Sequence, residues 1–210
     1  ATPPADQVPM NDDLVEAVDP RDEYVAEAVK LASGDEAARA DLRIVLTAMH
    51  GVGASMTARV LAEAGFANVS LVAAQAEPDP DFPTVPFPNP EEAGALDMAI
   101  EQARAEGADL IIAVDPDADR CALAVPDPGA EAGWSPLSGD QIGCLLGEFL
   151  AARGLEGSLA NSIVSSRLLA RIAEAHGLVH HTTLTGFKWI ARAPKLAFGY
   201  EEAIGFCPNP

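Results

Sequence analysis

Apolar residues fall along this 210-residue chain in short blocks that alternate between strand-like runs and helical spacing. Residues 42–46 form a branched apolar run that stops at Thr47-Ala48-Met49-His50-Gly51-Val52-Gly53. Beyond it Met56, Val60, Leu61 and Ala64 recur at helical intervals as far as Gly65, a residue that closes a helix at little steric cost. The grammar is strand, glycine loop, helix. Residues 69–73 predict a second strand, 91–106 a helix and 109–114 a third strand, whose unbroken apolar character suits a parallel sheet covered on both faces. The intervening residues 77–90 are so dense in proline that only an irregular connection fits. The outline then repeats: strand 121–125, turn-rich break 126–138, helix 140–153, strand 159–164, helix 166–176, strand 178–182, a short helix around Trp189 and a strand at 196–200. This order predicts an α/β fold of two consecutive mixed-sheet units, the second incomplete because Pro208-Asn209-Pro210 stands where a covering helix would follow.

The leading segment reads differently. Leu14, Val18, Val25, Ala28 and Val29 give residues 11–31 a helical period broken at Asp19-Pro20, with Pro20 suited to the first position of a second helix. Two short acidic helices are expected, in a connector spanning residues 1–38. The α/β units then occupy residues 39–135 and 136–210.

Charge narrows the function classes. Thirty-two acidic against 13 basic side chains give a net charge of −19, and residues 1–41 alone hold eleven acids and three bases. Such a field repels nucleic-acid backbones and acidic membrane surfaces, so neither is an expected partner. A negatively charged substrate would need a local basic pocket or a metal. With 49% hydrophobic residues the chain can build a core, yet no apolar run nears the ~20 residues that span a bilayer. The start, Ala1-Thr2-Pro3-Pro4, has neither a positive leader nor an initiator Met and reads as an excised or trimmed piece. Cys121, Cys144 and Cys207 are odd in number and widely spaced, which supports neither a disulfide framework nor a zinc site. A reducing cytoplasm is the expected location, with each cysteine a small buried apolar side chain.

The strongest chemical signal is Asp115-Pro116-Asp117-Ala118-Asp119-Arg120, directly after the predicted strand 109–114. Open α/β sheets bind ligands at the carboxyl ends of their strands, and carboxylates two residues apart in a tight loop can converge on one hard cation. An EF-hand beginning at Asp115 would need Gly at its sixth position and Glu at its twelfth, but Arg120 and Pro126 stand there. A solvated acidic turn with an arginine counter-charge is the plainer alternative. A haloacid-dehalogenase-type phosphatase, which also carries Asp-x-Asp after a strand, is another.

Three separated stretches, in this order, resemble the α-D-phosphohexomutase superfamily of phosphoglucomutases and phosphomannomutases, and within it the phosphopentomutase-like branch. They are Thr47-Ala48-Met49-His50-Gly51-Val52-Gly53, the 115–120 loop, and Thr185-Gly186-Phe187-Lys188 together with Gly199-Tyr200-Glu201-Glu202-Ala203-Ile204-Gly205. The resemblance covers the middle portion of that four-domain enzyme. It implies transfer of a phosphoryl group between the 1-position and the terminal carbon of a hexose or pentose phosphate, through a bisphosphorylated intermediate. By motif match Asp115, Asp117 and Asp119 would hold Mg²⁺, Arg120 would reach phosphate or sugar, Thr185, Gly186 and Lys188 would line the substrate site, and Glu201 would accept hydrogen bonds from sugar hydroxyls. The sequence departs from the family's commonest form at Pro116 and Ala118, where glycines are usual, and at Ala203, where many members carry Ser.

No stretch matches the family's phosphoserine segment or its phosphate clamp, and Ser55, Ser165 and Ser166 lack the nucleophile's context. The chain alone is therefore expected to bind Mg²⁺ more weakly than the whole enzyme and to be inactive as a mutase. The competing reading from another class is a non-catalytic module that binds a divalent ion or a partner. His50 is expected to be structural, with a role near the domain interface as its alternative. His176, His180 and His181 read as solvent or core residues, and Gly51 and Gly53 as a weak phosphate-binding signal at a helix N-terminus.

Overall fold

The computed structural model describes residues 15–208. The leading strand is a run of branched residues, β1 at Arg43–Thr47, with Ile44, Val45 and Leu46 buried. Before it lie helices α1 at Arg21–Lys30 and α2 at Glu36–Asp41. The chain then runs through α3 (Ala54–Glu63), β2 (Asn68–Leu71), a 3-10 turn (Ala73–Gln75), α4 (Asp97–Glu106), β3 (Leu110–Val114), β4 (Cys121–Pro126) and β5 (Trp134–Pro136). These strands form one mixed sheet in the order β2-β1-β3-β4-β5, parallel across β2, β1 and β3 and antiparallel from β3 onward. One face carries the main core, in which Val45, Ile111 and Ala113 meet Leu96, Ala99 and Ala103 of the α4 region. On the other face Ala48, Ala54 and Val114 pack with Leu71 at the start of α3.

A second sheet repeats the plan. Helix α5 (Gly139–Ala152) opens on a capping box in which the Ser138 hydroxyl accepts from the Gln141 N–H and Gln141 accepts from the Ser138 N–H. It is followed by β6 (Ser158–Ser162), α6 (Leu168–Ala175), β7 (Val179–Thr183), α7 (Phe187–Ile190), β8 (Leu196–Glu201) and β9 (Gly205–Cys207). The sheet order is β7-β6-β8-β9, with only β9 antiparallel. Leu159, Phe198 and Tyr200 pack against α5 and α6, while Ala160, Ile190 and Ala193 close the α7 face. Among the described residues no helix is long and apolar enough to cross a membrane.

The architecture is the two-unit mixed α/β fold read from the sequence, with corrections at its edges. Of the first expected acidic helix, residues 11–14 lie outside the described residues, and residues 15–20 have no regular structure. Pro20 caps α1 from outside and is not its first residue. The second expected helix is α1, and α2, whose N-cap Asp35 accepts from the Ala37 N–H, was not expected. Helix α4 begins only at Asp97, because residues 91–96 continue the irregular path of the proline segment. The break at 126–138 contains β5, and β9 was not expected. Cys144 is buried as predicted, whereas Cys121 and Cys207 are only partly buried.

Candidate functional site

The first sheet changes winding direction between β1 and β3. The chain leaves β1 towards β2 on one side, and β3 lies on the other, so a crevice opens at the carboxyl ends of these two parallel strands. That is where α/β sheets take their ligands. The 48–53 loop and the 115–120 loop meet in it: the Val52 N–H donates to the Pro116 carbonyl at 2.9 Å. Gly51 permits the approach, since a Cβ on it would lie 2.4 Å from the Pro116 Cα and 2.6 Å from its carbonyl oxygen. The loop glycine thus serves loop-on-loop packing.

The aspartate loop closes on itself through the Ala118 N–H to the Asp115 carbonyl at 3.0 Å and the Asp115 N–H to the Arg120 carbonyl at 3.3 Å. The closure places Ala118 at φ +59°, which explains the glycine usual there: a Cβ in the left-handed region costs about 1–2 kcal/mol. The Asp115 side chain is 3% exposed and accepts from the Arg120 N–H at 3.0 Å and from its Nε at 2.8 Å. Carboxylate oxygens of Asp115, Asp117 and Asp119 all lie within 4.8 Å of one another, the latter two exposed. Partial desolvation and the facing Asp115 and Asp117 carboxylates push the Asp119 carboxyl above its ordinary range, with Arg120 opposing. A folded-state pKa raised in this way makes the loop less stable as pH rises through it. Asp119→Asn is therefore expected to raise the urea midpoint of the metal-free protein at neutral pH and to remove much of the further rise that Mg²⁺ gives the wild type. A metal-free midpoint that falls would refute this.

Arg120 is steadied from the other side by Asn89 of the proline segment, whose Oδ1 lies 3.4 Å from Nη1. That segment is anchored by a buried polar chain. Thr47 Oγ1 donates to Gln75 Oε1 at 2.6 Å, Gln75 Nε2 donates to Thr84 Oγ1 at 2.8 Å, and His50 Nε2 lies 2.8 Å from the same hydroxyl. His50, 5% exposed, is a structural histidine.

In the second sheet the reversal falls between β6 and β8. Glu201 closes β8 and Glu202 opens the turn to β9, so the pair does not sit at a helix N-terminus, the simpler reading of two adjacent glutamates. Glu202 Oε2 accepts from Ser162 Oγ at 2.7 Å and Ser165 Oγ at 2.9 Å. Burial works against its charge, but bonds from Ser162, its own N–H and Ser165 hold the carboxyl below the usual range. Glu201 Oε1 is buried with no hydrogen-bond partner among the described residues, an unusual state for a carboxylate oxygen. A Cβ added to Gly205 would lie 2.7 Å from the Phe187 ring and 3.8 Å from Glu201 Oε2, so Phe187 of the 185–188 segment and Glu201 converge there. Thr185 and Lys188 are exposed, and Gly186 sits at φ +112° ahead of α7.

The aspartate-loop group and this second group are joined through backbone. The Cys121 N–H, one residue past Arg120, donates to the Ile204 carbonyl at 3.1 Å, and Ile204 is buried in the core of the first sheet. Sequence reasoning missed Asn89, Ser162, Ser165 and Glu202. Their signal was weak, because each acts through chain segments 31 to 40 residues away.

Residues 22–129 match the family model described as phosphoglucomutase/phosphomannomutase, alpha/beta/alpha domain II, and residues 138–209 match that of domain III. A protein of Haemophilus influenzae named "Probable phosphomannomutase" is 46% identical over 205 residues, covering 97% of this chain and 40% of that protein. The phosphoribomutase of Saccharomyces cerevisiae is 40% identical over 184 residues, covering 77% of this chain and 29% of its own length. A solved phosphoglucomutase/phosphomannomutase family protein from Burkholderia thailandensis shares the fold at a TM-score of 0.76 and 20% identity, over 91% of this chain and 39% of that one. The chain thus spans at most 40% of the length of the curated relatives it matches here.

Proposed function

Because the chain belongs to the phosphoglucomutase/phosphomannomutase family of the α-D-phosphohexomutase superfamily, we propose that it forms the metal- and sugar-binding portion of a mutase. That enzyme moves a phosphoryl group between the 1-position and the terminal carbon of a hexose or pentose phosphate. The observation that carries this reading is the convergence of Asp115, Asp117 and Asp119 at the winding reversal of the first sheet, with Arg120 fixed beside them. Three carboxylates, hard oxygen donors within one small sphere, fit Mg²⁺. When bound, the ion would offset charge on the phosphoryl oxygens.

The chain's own residues then divide the work. Arg120, oriented through Nε by Asp115 and near Asn89 through Nη1, offers guanidinium N–H groups to phosphate. Lys188, exposed on α7, adds positive charge in an otherwise acidic chain, beside the Thr185-Gly186 turn that lines the substrate site. Glu201, whose Oε1 lacks a partner, accepts sugar hydroxyls. Residues 1–38 act as the connector, 39–135 as the metal-binding domain and 136–210 as the sugar-recognition domain, in a reducing cytoplasm. With no segment matching the phosphoserine or the phosphate clamp, the 210-residue chain alone would not turn over substrate.

Mg²⁺ calorimetry on the wild type and Asp117→Asn, with and without glucose 1-phosphate, tests the proposal. The expected result is wild-type binding that tightens with the sugar phosphate, at least tenfold weaker binding in the variant, and loss of the coupling in Lys188→Ala. Metal binding indifferent to sugar phosphate and to Lys188 would instead describe a divalent-ion module. Phosphate release through an aspartyl-phosphate would describe a phosphatase.

A further inference from the structure

We infer that Glu202 is a positioning residue for the sugar-recognition turn: by accepting the Ser162 and Ser165 hydroxyls on one carboxylate oxygen, it fixes the backbone that presents Glu201. The inference rests on the reading of Glu201 as a sugar contact. Its ground is the way residues 201–205 are held. Ser162 ends β6 and is 1% exposed, and Ser165 follows it in a tight turn closed by the Ser165 N–H to the Ser162 carbonyl at 3.1 Å. That turn is itself immobilised, since the Ser166 N–H donates to Asp140 Oδ1 at 2.6 Å and Asn161 Nδ2 donates to the Ser166 carbonyl at 2.8 Å. Asp140 also accepts from the buried Tyr200 hydroxyl at 2.7 Å, one residue before Glu201.

Glu202 therefore leans on a rigid wall. Its backbone is pressed on the opposite side, where a Cβ added to Gly139 would lie 2.0 Å from the Glu202 carbonyl oxygen. Beyond it Ile204, a β-branched residue, is held at φ +57°, a conformation that persists only where its surroundings over-determine it. Of these restraints the Tyr200 hydroxyl grips the residue before Glu201, and the Glu202 carboxylate grips the residue after it. Placing a hydroxyl acceptor to within a fraction of an ångström is what such a grip supplies, because small misplacements of a substrate contact lower rates sharply.

The test uses the protein expressed from its complete reading frame, assayed on glucose 1-phosphate. Glu202→Ala is expected to lower kcat/KM roughly tenfold to a hundredfold, with Mg²⁺ affinity unchanged. Glu202→Gln, which keeps one acceptor oxygen, should recover most of the loss. Ser165→Ala, a milder change, should reproduce a smaller part of it. In a Glu201→Ala background, Glu202→Ala should change kcat/KM by less than about twofold, because Glu202 acts through Glu201. Equal losses in both backgrounds, a parallel loss of Mg²⁺ affinity, or unchanged activity in Glu202→Ala and Ser165→Ala would each overturn the inference and leave the mutase reading standing. A wild type unable to interconvert sugar phosphates would overturn both.

Discussion

Asp115→Ala is expected to unfold more readily than wild type by about 3 kcal/mol in metal-free urea titrations, because it removes the buried partner of an ion pair and leaves the part-buried Arg120 only the longer contacts to Asp119 at 3.8 Å and Asn89 at 3.4 Å. Asp115 is 3% exposed and meets Arg120 at 2.8 Å, and the same carboxylate accepts the Arg120 N–H that closes the loop. The comparison variant, Asp117→Asn, alters an exposed side chain and leaves the metal-free midpoint near that of wild type. Both variants are expected to lose the stabilisation that added Mg²⁺ would give the wild type by binding to the folded state alone. The pair separates two roles that the alternating aspartates share in the sequence. On the proposed reading Asp115 holds the loop together and also contributes to cation binding, whereas Asp117 contributes to cation binding alone. Equal metal-free midpoints for the two variants would disprove the division.

Gly51→Ala is expected to have the second-largest effect, a loss of about 2–3 kcal/mol from overpacking together with a fall in Mg²⁺ affinity of at least tenfold. The added methyl would meet backbone on every side: Pro116 Cα at 2.4 Å, Pro116 O at 2.6 Å and Ala48 O at 2.8 Å. No rotamer relieves such contacts. The loops must part, which breaks the Val52 to Pro116 hydrogen bond and moves the segment carrying the carboxylates. Gly129→Ala, where the nearest atom is the Asp127 Oδ1 at 3.3 Å, serves as the neutral control. Calorimetry and urea midpoints on the three proteins decide the matter, and a Gly51→Ala protein that binds Mg²⁺ like wild type would refute the account.

The legible parts of the sequence were those whose signal is local. Apolar runs such as Leu110–Val114 declared buried strands, and the alternating aspartates after that strand marked the loop at its carboxyl end where three carboxylates converge. Thr185, Gly186, Lys188 and Glu201 were nominated by resemblance, and the fold gathers their two segments around Gly205. What failed did so for want of local information. Strands β5 and β9 are three residues each and exist by virtue of the strands they pair with, so no periodicity could announce them. The start of α4 was overestimated because residues 91–96 are compatible with helix, while the proline segment before them dictates the path. The Ser162, Ser165 and Glu202 cluster is a meeting of segments that only the sheet order β7-β6-β8-β9 brings together.

Ile204 has a consequence for how the molecule comes apart. It belongs by connectivity to the second sheet and by burial to the core of the first, and Phe206, two residues on, packs against both cores. Neither sheet can open that side without stripping apolar surface from the other. The two units should accordingly melt in one transition, with calorimetric and van't Hoff enthalpies in agreement. An isolated first unit ending before α5 would expose Ala122 and Trp134, the residues that Ile204 now joins in the core, and would associate or unfold under conditions where the two units together stay folded.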